Sequence, residues 1–297
     1  MDTSLQLHIS LECDLATIEG PVMSFFDKHA GYYESSWDLR EHGLNVGIFD
    51  GNIERIAEQD LETGYERCRD HLIGLLQKIR KLDRDARVLD VCCGTGATLS
   101  RIVNRYSCKG VGVDISKAQI TKANQLRGQG VKEERLLFRQ GSASLVDTVV
   151  DDQPPFTHAL SQDGLLFAHD KSRALGGIYD LLATGGAFVF SDFVPQISKQ
   201  EIDAALRARV YEDVKWGQGL TFKEYFELLT ETGFEIVQAE LRPLDMRITY
   251  EKLIPRTHAM AAGGDETYTF LARRYEGIVK AINNGALSWA WFAVRKP

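Results

Sequence analysis

The sequence predicts an α/β fold, a mostly parallel sheet covered by helices on both faces, and three observations carry that expectation. Short continuous apolar runs alternate with segments of helical periodicity from Arg87 to Asp192, the pattern of strands buried on both sides. The stretch Arg87–Asp114, RVLDVCCGTGATLSRIVNRYSCKGVGVD, sets a strand (Val88, Leu89, Val91), a glycine turn (Gly94, Gly96), a helix and a second strand (Val111, Val113) in order. The second strand ends on Asp114, 24 residues after Asp90. Both acids then face one crevice, because ligands of open α/β sheets sit beyond the carboxyl ends of the strands.

Taken in order, Met1–Gly20 carries Glu12, Asp14 and Glu19 and has no basic start followed by an apolar run, so it does not read as a secretory signal. Phe25–Gly51 is aromatic-rich and punctuated by glycine, the composition of a lid loop. Ile56, Leu61, Tyr65, Cys68, Leu72, Leu75, Leu76 and Ile79 predict one long amphipathic helix over Ile53–Leu82. After the opening unit, Ser116 is the cap of a helix running to about Gln129 and ended by Gly130. Strands follow at Leu136–Gln140, Phe156–Leu160 and Ala187–Phe190, with a helix over Lys171–Leu182. Beyond Pro195 the expectation is a helix over Glu201–Trp216, another over Thr221–Thr232 capped by Thr221, and a strand over Phe234–Leu241. Helices over Ile248–Ala261 and Glu266–Asn283 then lead to a last strand, Leu287–Val294. This makes seven strands, with helical insertions at about 196–232 and 248–284 placed to form a substrate wall. The division expected is an extension and aromatic lid over 1–52 and one domain over 53–297.

The balance of 35 basic and 42 acidic residues, net −7, argues against a nucleic-acid footprint and for a small-molecule substrate. No stretch of 18 apolar residues occurs, so no membrane span is expected. Five cysteines, Cys13, Cys68, Cys92, Cys93 and Cys108, show no framework spacing and read as reduced thiols of a cytoplasmic protein. Cys92 and Cys93, adjacent in a strand, would point to opposite faces, and no C-x-x-C or H-x-x-x-H pair accompanies them, so no metal is expected. Subunit contacts are not legible; a homodimer is the commonest closed assembly.

The glycine turn discriminates among nucleotides. Leu99 stands where a dinucleotide fingerprint has its third glycine, and no Lys-Ser or Lys-Thr follows as a phosphate loop requires. An acidic turn suits a ligand with an amino group and no phosphate, a description S-adenosylmethionine meets. LDVCCGTG resembles the first motif of the class I S-adenosylmethionine-dependent methyltransferases, with a Rossmann-like seven-stranded sheet implied; Cys92 stands where that family usually has its first glycine.

Methyl transfer from a sulfonium is an in-line displacement that needs a closed pocket; a hydroxyl or carbon acceptor usually needs a base as well. Three sets of residues qualify. Ser161, Gln162 and Asp163 end the fourth strand, and Asp163 would hold a substrate amine, serve as base, or complement a helix N-terminus. Tyr32, Tyr33 and Trp37 would close over the cofactor, face a cationic substrate, or simply pack. Arg247, Tyr250 and His169 would meet an acidic group or do acid–base work.

YYESSW with NVGIFDG, LDVCCGTG, SQDGLLFAHD, TGGAFVFSD and AINNGALSWAWFAVRK, spread over residues 32–296, resemble the sarcosine/dimethylglycine and phosphoethanolamine N-methyltransferase branch. The resemblance implies that Asp90, Gly94 and Gly96, with Cys92 and Thr95 in the same turn, bind the methionine part of the cofactor. It places Asp114 on the ribose, Ile115 beside adenine, Ser142 and Ala143 at its edge, and Ser161 and Gln162 on the methyl side. Tyr33 and Trp37 join these as cofactor contacts; Asp163, His169 and Tyr33 are the catalytic candidates, and Tyr32, Asp163, Arg247 and Tyr250 the substrate contacts. Ala143 replaces an acid common in the family, and Asn45 replaces a histidine two residues before Gly47. The expectation is N-methylation of a small amine. The alternatives are C- or O-methylation of a prenyl or other natural product, for whose diphosphate only Arg207, Arg209 and Arg247 offer charge, and a non-catalytic S-adenosylmethionine-binding protein.

Overall fold

The computed structural model describes residues 17, 19–29, 45–51, 53–127, 133–212, 216 and 219–297. Tyr32, Tyr33 and Trp37, and the helix end at Gly130, lie outside the described residues.

Seven strands form one sheet: β1 (Arg87–Val91), β2 (Lys109–Asp114), β3 (Leu136–Gln140), β4 (Phe156–Gln162), β5 (Leu182–Pro195), β6 (Glu235–Leu241) and β7 (Leu287–Arg295). Their order is β3-β2-β1-β4-β5-β7-β6. The first five run parallel, and β7 lies antiparallel between β5 and β6. From β1 the chain winds outward through β2 and β3, then returns to place β4 on the other side of β1. The carboxyl ends of β1 and β4 therefore flank the point where the winding reverses, which is where open α/β sheets bind ligands.

Helix α1 covers residues 19–29. It is followed by α2 (Ile53–Glu58), α3 (Leu61–Ile79), α4 (Ala97–Tyr106), α5 (Lys117–Arg127), α6 (Val146–Val149), α7 (Lys171–Leu181), α8 (Ala204–Arg207), α9 (Phe222–Thr232), α10 (Pro243–Ala261) and α11 (Glu266–Asn283). Period-two alternation sends strand side chains into two cores. Val88, Ala187 and Val189 join α3, α4, α10 and α11 on one face, and Leu89, Phe188 and Phe190 join α7 and α9 on the other.

Several elements differ from the sequence expectation: α1 makes helical the first residues of the stretch Phe25–Gly51 expected as a loop, α10 starts five residues before Ile248, and three further differences have a clear physical reason. The long helix over Ile53–Leu82 is broken at Gln59–Asp60, because Asp60 leaves helical geometry and accepts from Thr63 N at 2.8 Å, capping α3 afresh. The helix over Glu201–Trp216 is a 3-10 turn (Lys199–Glu201), α8 and one π turn (Ala208–Glu212). Strand β5 has 14 residues, since β7 pairs with it from Ala187 to Pro195 and keeps it extended well past Phe190.

Candidate active site

A cavity opens at the carboxyl ends of β1 and β4, and the glycine turn forms its centre. Three residues there take left-handed backbone: Cys92 (φ 63°), Gly94 (φ 54°) and Gly96 (φ 74°). Cys92 thus keeps, with a side chain, a conformation that glycine adopts freely. Cys92 and Cys93 lie in this turn just beyond β1 and both line the cavity; the expectation that they point to opposite faces of a strand is corrected, since the chain has already left the strand. Burial pushes both thiols up, so they stay protonated. At Gly94 an added Cβ would meet no protein atom within 4 Å, whereas at Gly96 it would lie 2.2 Å from Phe138 Cζ. Gly94 therefore borders the cavity, and Gly96, off its wall, is needed for the packing of Phe138.

Two acids flank the turn. Asp114 accepts from Gly94 N at 2.8 Å and Ser116 N at 2.9 Å, tying the turn to the end of β2; burial raises its pKa and these two donors oppose the rise. Asp90 is 4% exposed, faces the cavity, and has no hydrogen-bond or ionic partner among the described residues. Burial, then the charge of Asp114, holds its carboxyl well above the usual range. An unpartnered buried carboxylate beside a glycine turn is suited to an ammonium group.

On the other side, β4 runs two residues further than expected and carries Ser161 and Gln162 within it. Ser161 is fully buried and off the cavity wall; Gln162 lines the wall and accepts from Thr98 Oγ1 at 2.7 Å. Asp163, with φ 52°, is no helix-terminal acid. It accepts from Ser191 Oγ and Trp289 Nε1, each at 2.7 Å, and from Val46 N at 3.0 Å. Burial raises its pKa against the pull of these donors. Next to it, Gly164 leaves room for Cys92: an added Cβ would lie 2.3 Å from Cys92 Cβ.

Val46 lies in an entrance segment, residues 45–50, that is not part of a strand and is buried through Phe49. From Val46 to Asp50 the successive N–H groups are nonetheless satisfied. Val46 donates to Asp163 Oδ2, Gly47 to Thr249 Oγ1 at 3.0 Å, Ile48 to Gly64 O at 2.9 Å and Phe49 to Asp245 Oδ1 at 2.8 Å. Asp245 and Thr249 are one helical turn apart at the start of α10, so they face the segment together.

Helix α1 closes the opposite end. Glu19 is buried on the cavity wall and accepts from Ser144 Oγ at 3.0 Å and His169 N at 3.2 Å. Asp27 accepts from Ser116 Oγ at 2.5 Å and Ala118 N at 3.1 Å, helping cap α5. Val22, Phe25 and Phe26 complete that wall. Sequence reasoning passed over Glu19, Asp27, Asp245 and Thr249, and no local signal marks them. Of the remaining candidates, Thr95, Ile115, Ala143 and Tyr250 line the cavity. Ser142 is off the wall and caps a 3-10 turn by accepting from Ser144 N. His169 is exposed and off the wall, and Arg247 lies off it beside Glu251, at 3.6 Å. Arg274, unremarked in the sequence, lines the wall with Phe193, Tyr250 and Tyr275. Among the described residues no three His, Cys, Asp or Glu side chains come together as a metal-holding group, and no helix is long and apolar enough to cross a membrane.

The methyltransferase-domain family matches residues 82–237, the span that contains the glycine turn and both flanking acids. A sarcosine/dimethylglycine N-methyltransferase of Halorhodospira halochloris is 24% identical over 89% of this chain and 91% of its own. An O-methyltransferase of Aspergillus sclerotiorum is 28% identical over 68% of this chain and 72% of its own. The solved geranyl diphosphate C-methyltransferase of Streptomyces coelicolor, in complex with Mg2+, geranyl diphosphate and S-adenosyl-L-homocysteine, superposes with a TM-score of 0.71 at 14% identity over 94% of this chain and 98% of that one. N-, O- and C-methyltransferases thus all occur among the proteins to which this chain is similar. With its strand order, its glycine turn between Asp90 and Asp114 and this match over more than half its length, the chain belongs to the methyltransferase-domain family and is a class I S-adenosylmethionine-dependent methyltransferase.

Proposed function

We propose that the protein methylates the nitrogen of a small amine, with residues 1–52 forming an extension and lid on a domain of 53–297. The observation that carries the cofactor side of this reading is Asp90, whose buried carboxylate faces the cavity without a partner among the described residues and suits the ammonium of a bound S-adenosylmethionine. Asp114 keeps lone pairs for ribose hydroxyls, Ile115 and Ala143 flank the adenine, and Gln162 borders the methyl group. When bound, the cofactor supplies an electrophilic methyl carbon. The remaining task of the chain is to exclude water and hold the acceptor in line, which supplies as much as ~7–11 kcal/mol of a barrier.

An amine arriving neutral requires no base. Asp163 already accepts three hydrogen bonds; of about four lone-pair sites on a carboxylate, one remains. In this reading Asp163 orients the acceptor and does not take its proton, Tyr250 shapes the pocket beside it, and Tyr32, Tyr33 and Trp37 belong to the lid. The choice of nitrogen is supported by the similarity to an N-methyltransferase over nearly the full length of both chains. One feature favours O- or C-methylation of an apolar acceptor instead: Phe25, Phe26, Phe167 and Phe193 all line the cavity.

Calorimetric titration with S-adenosylhomocysteine tests the cofactor assignment. Asp90→Asn is expected to bind about 10–100-fold more weakly than wild type, as when a hydrogen bond to a charged group is lost; equal affinities would refute the role of Asp90. Mass spectrometry of amine, alcohol and prenyl acceptors then tests the nitrogen, and turnover confined to oxygen or carbon would overturn it.

A further inference from the structure

One part of the cavity wall holds a charge that neither the fold nor the cofactor reading uses. Arg274, on α11, is 8% exposed and lines the cavity with Phe193, Tyr250 and Tyr275. Its Nε has no hydrogen-bond partner, and no carboxylate pairs with its guanidinium among the described residues. Arg69, the other buried arginine among the described residues, differs in being paired with a carboxylate, that of Glu66. Burying an unpaired cation costs far more than burying a paired one, and a guanidinium offers five donors in a planar fork matched to carboxylate or phosphate oxygens.

The other charges on the cavity wall do not answer Arg274. Asp163 carries three donors, Asp114 two, and Glu19 accepts from Ser144 and His169. Asp90 sits on β1 in the turn region. Arg274 is carried instead by the helical wall inserted between β6 and β7, beside the aromatic groups of β5 and α10.

We propose that Arg274 is the anion-binding residue of the acceptor pocket, so that the molecule methylated carries a carboxylate or phosphate group near its nucleophile. This rests on the reading of the cavity as a cofactor and small-acceptor site. It narrows the acceptor to a zwitterionic or anionic amine, with Asp163 at the nitrogen end and Arg274 at the anionic end.

The test uses the full chain loaded with S-adenosylhomocysteine and titrated calorimetrically with three probes: N,N-dimethylglycine, phosphoethanolamine, and neutral-ended N,N-dimethylethanolamine. At least one anionic probe is expected to bind at least about tenfold more tightly than the neutral one; which anion binds distinguishes carboxylate from phosphate. Arg274→Gln removes that preference while S-adenosylhomocysteine affinity stays within about threefold, and Arg274→Lys, which keeps the charge but not the fork, falls between. Retained cofactor binding reports that both variants are folded. Absence of any anion preference in the loaded wild type overturns the proposal, as does a loss in Arg274→Gln of cofactor affinity, which would place the guanidinium on the cofactor's own carboxylate. Failure of the wild type to bind S-adenosylhomocysteine at all would remove the cofactor reading first, and this proposal with it.

Discussion

The glycine turn and the entrance segment are both short, irregular and buried, yet they are specified in opposite ways. The turn is held by its own neighbourhood: Cys92, Gly94 and Gly96 take left-handed backbone, and Asp114, from the next strand, receives the N–H of Gly94. The entrance segment is held from far away, with Val46, Gly47 and Phe49 donating to side chains 117, 202 and 196 residues further along. A glycine turn can therefore be written locally, whereas the part of the cavity wall that includes Val46 is assembled from pieces that meet only after folding.

The largest expected effect attacks the turn. Gly164→Ala would put a Cβ 2.3 Å from that of Cys92, and overpacking of this kind costs about 2–3 kcal/mol in urea unfolding. Cys92→Gly removes the obstacle, so the double variant should recover most of the loss. By itself Cys92→Gly should be near neutral, since relief of about 1–2 kcal/mol of left-handed strain is offset by the greater freedom of glycine in the unfolded chain. A double variant no more stable than Gly164→Ala would show that the two residues are not coupled.

The entrance segment is tested by Asp245→Ala, which leaves Phe49 N–H without its acceptor and Arg242 without its 2.6 Å partner. A loss of about 1–3 kcal/mol is expected, together with a raised KM for the acceptor and unchanged affinity for S-adenosylhomocysteine. A change in cofactor affinity equal to that in KM would mean that the two regions are one unit.

A smaller, pH-dependent effect concerns Asp192, which supports the loop joining the two regions. It accepts from Leu166 N at 3.2 Å and from the Tyr225 hydroxyl, and burial pushes its carboxyl up to about 7. Below the unfolded value near 4 the carboxyl is protonated in both states, and its favourable contribution is fully present. As pH rises toward 7 the unfolded chain ionises first, so stability declines by up to about 1.4 kcal/mol per pH unit. Denaturant unfolding between pH 5 and 8 should show a shallower decline in Asp192→Asn than in wild type; parallel curves would place the ionisation elsewhere.

The same division separates what was legible in the sequence from what was not. Leu136–Gln140 and Glu266–Asn283 have the bounds that periodicity predicts, and Thr221 forms a full capping box with Glu224, because these features depend on residues within a few positions of one another. The break at Asp60 was hidden inside a continuous apolar pattern, and the length of β5 depends on its pairing with β7, whose sequence lies about a hundred residues later. Within the site, Asp90, Gly94 and Asp114 fall in one stretch with a recognisable spacing. Glu19, Asp245, Thr249 and Arg274 have no spacing to read, since each is an ordinary polar residue on a helix until the fold brings Glu19 and Arg274 to the cavity and Asp245 and Thr249 to the backbone of the entrance segment.

The hydrogen bonds from Val46 and Trp289 to Asp163 also bear on the order in which the molecule is made. Chains emerging from a ribosome fold N-terminal parts first, so strands β1 to β5 and their turn can assemble while α10 and β7 are still unmade. The entrance segment, synthesised before all of them, must wait for Asp245 and Thr249 before its backbone is fully anchored. A nascent chain would hold the glycine turn in place before the entrance segment was anchored, and a binding partner acting during synthesis would find the first without the second.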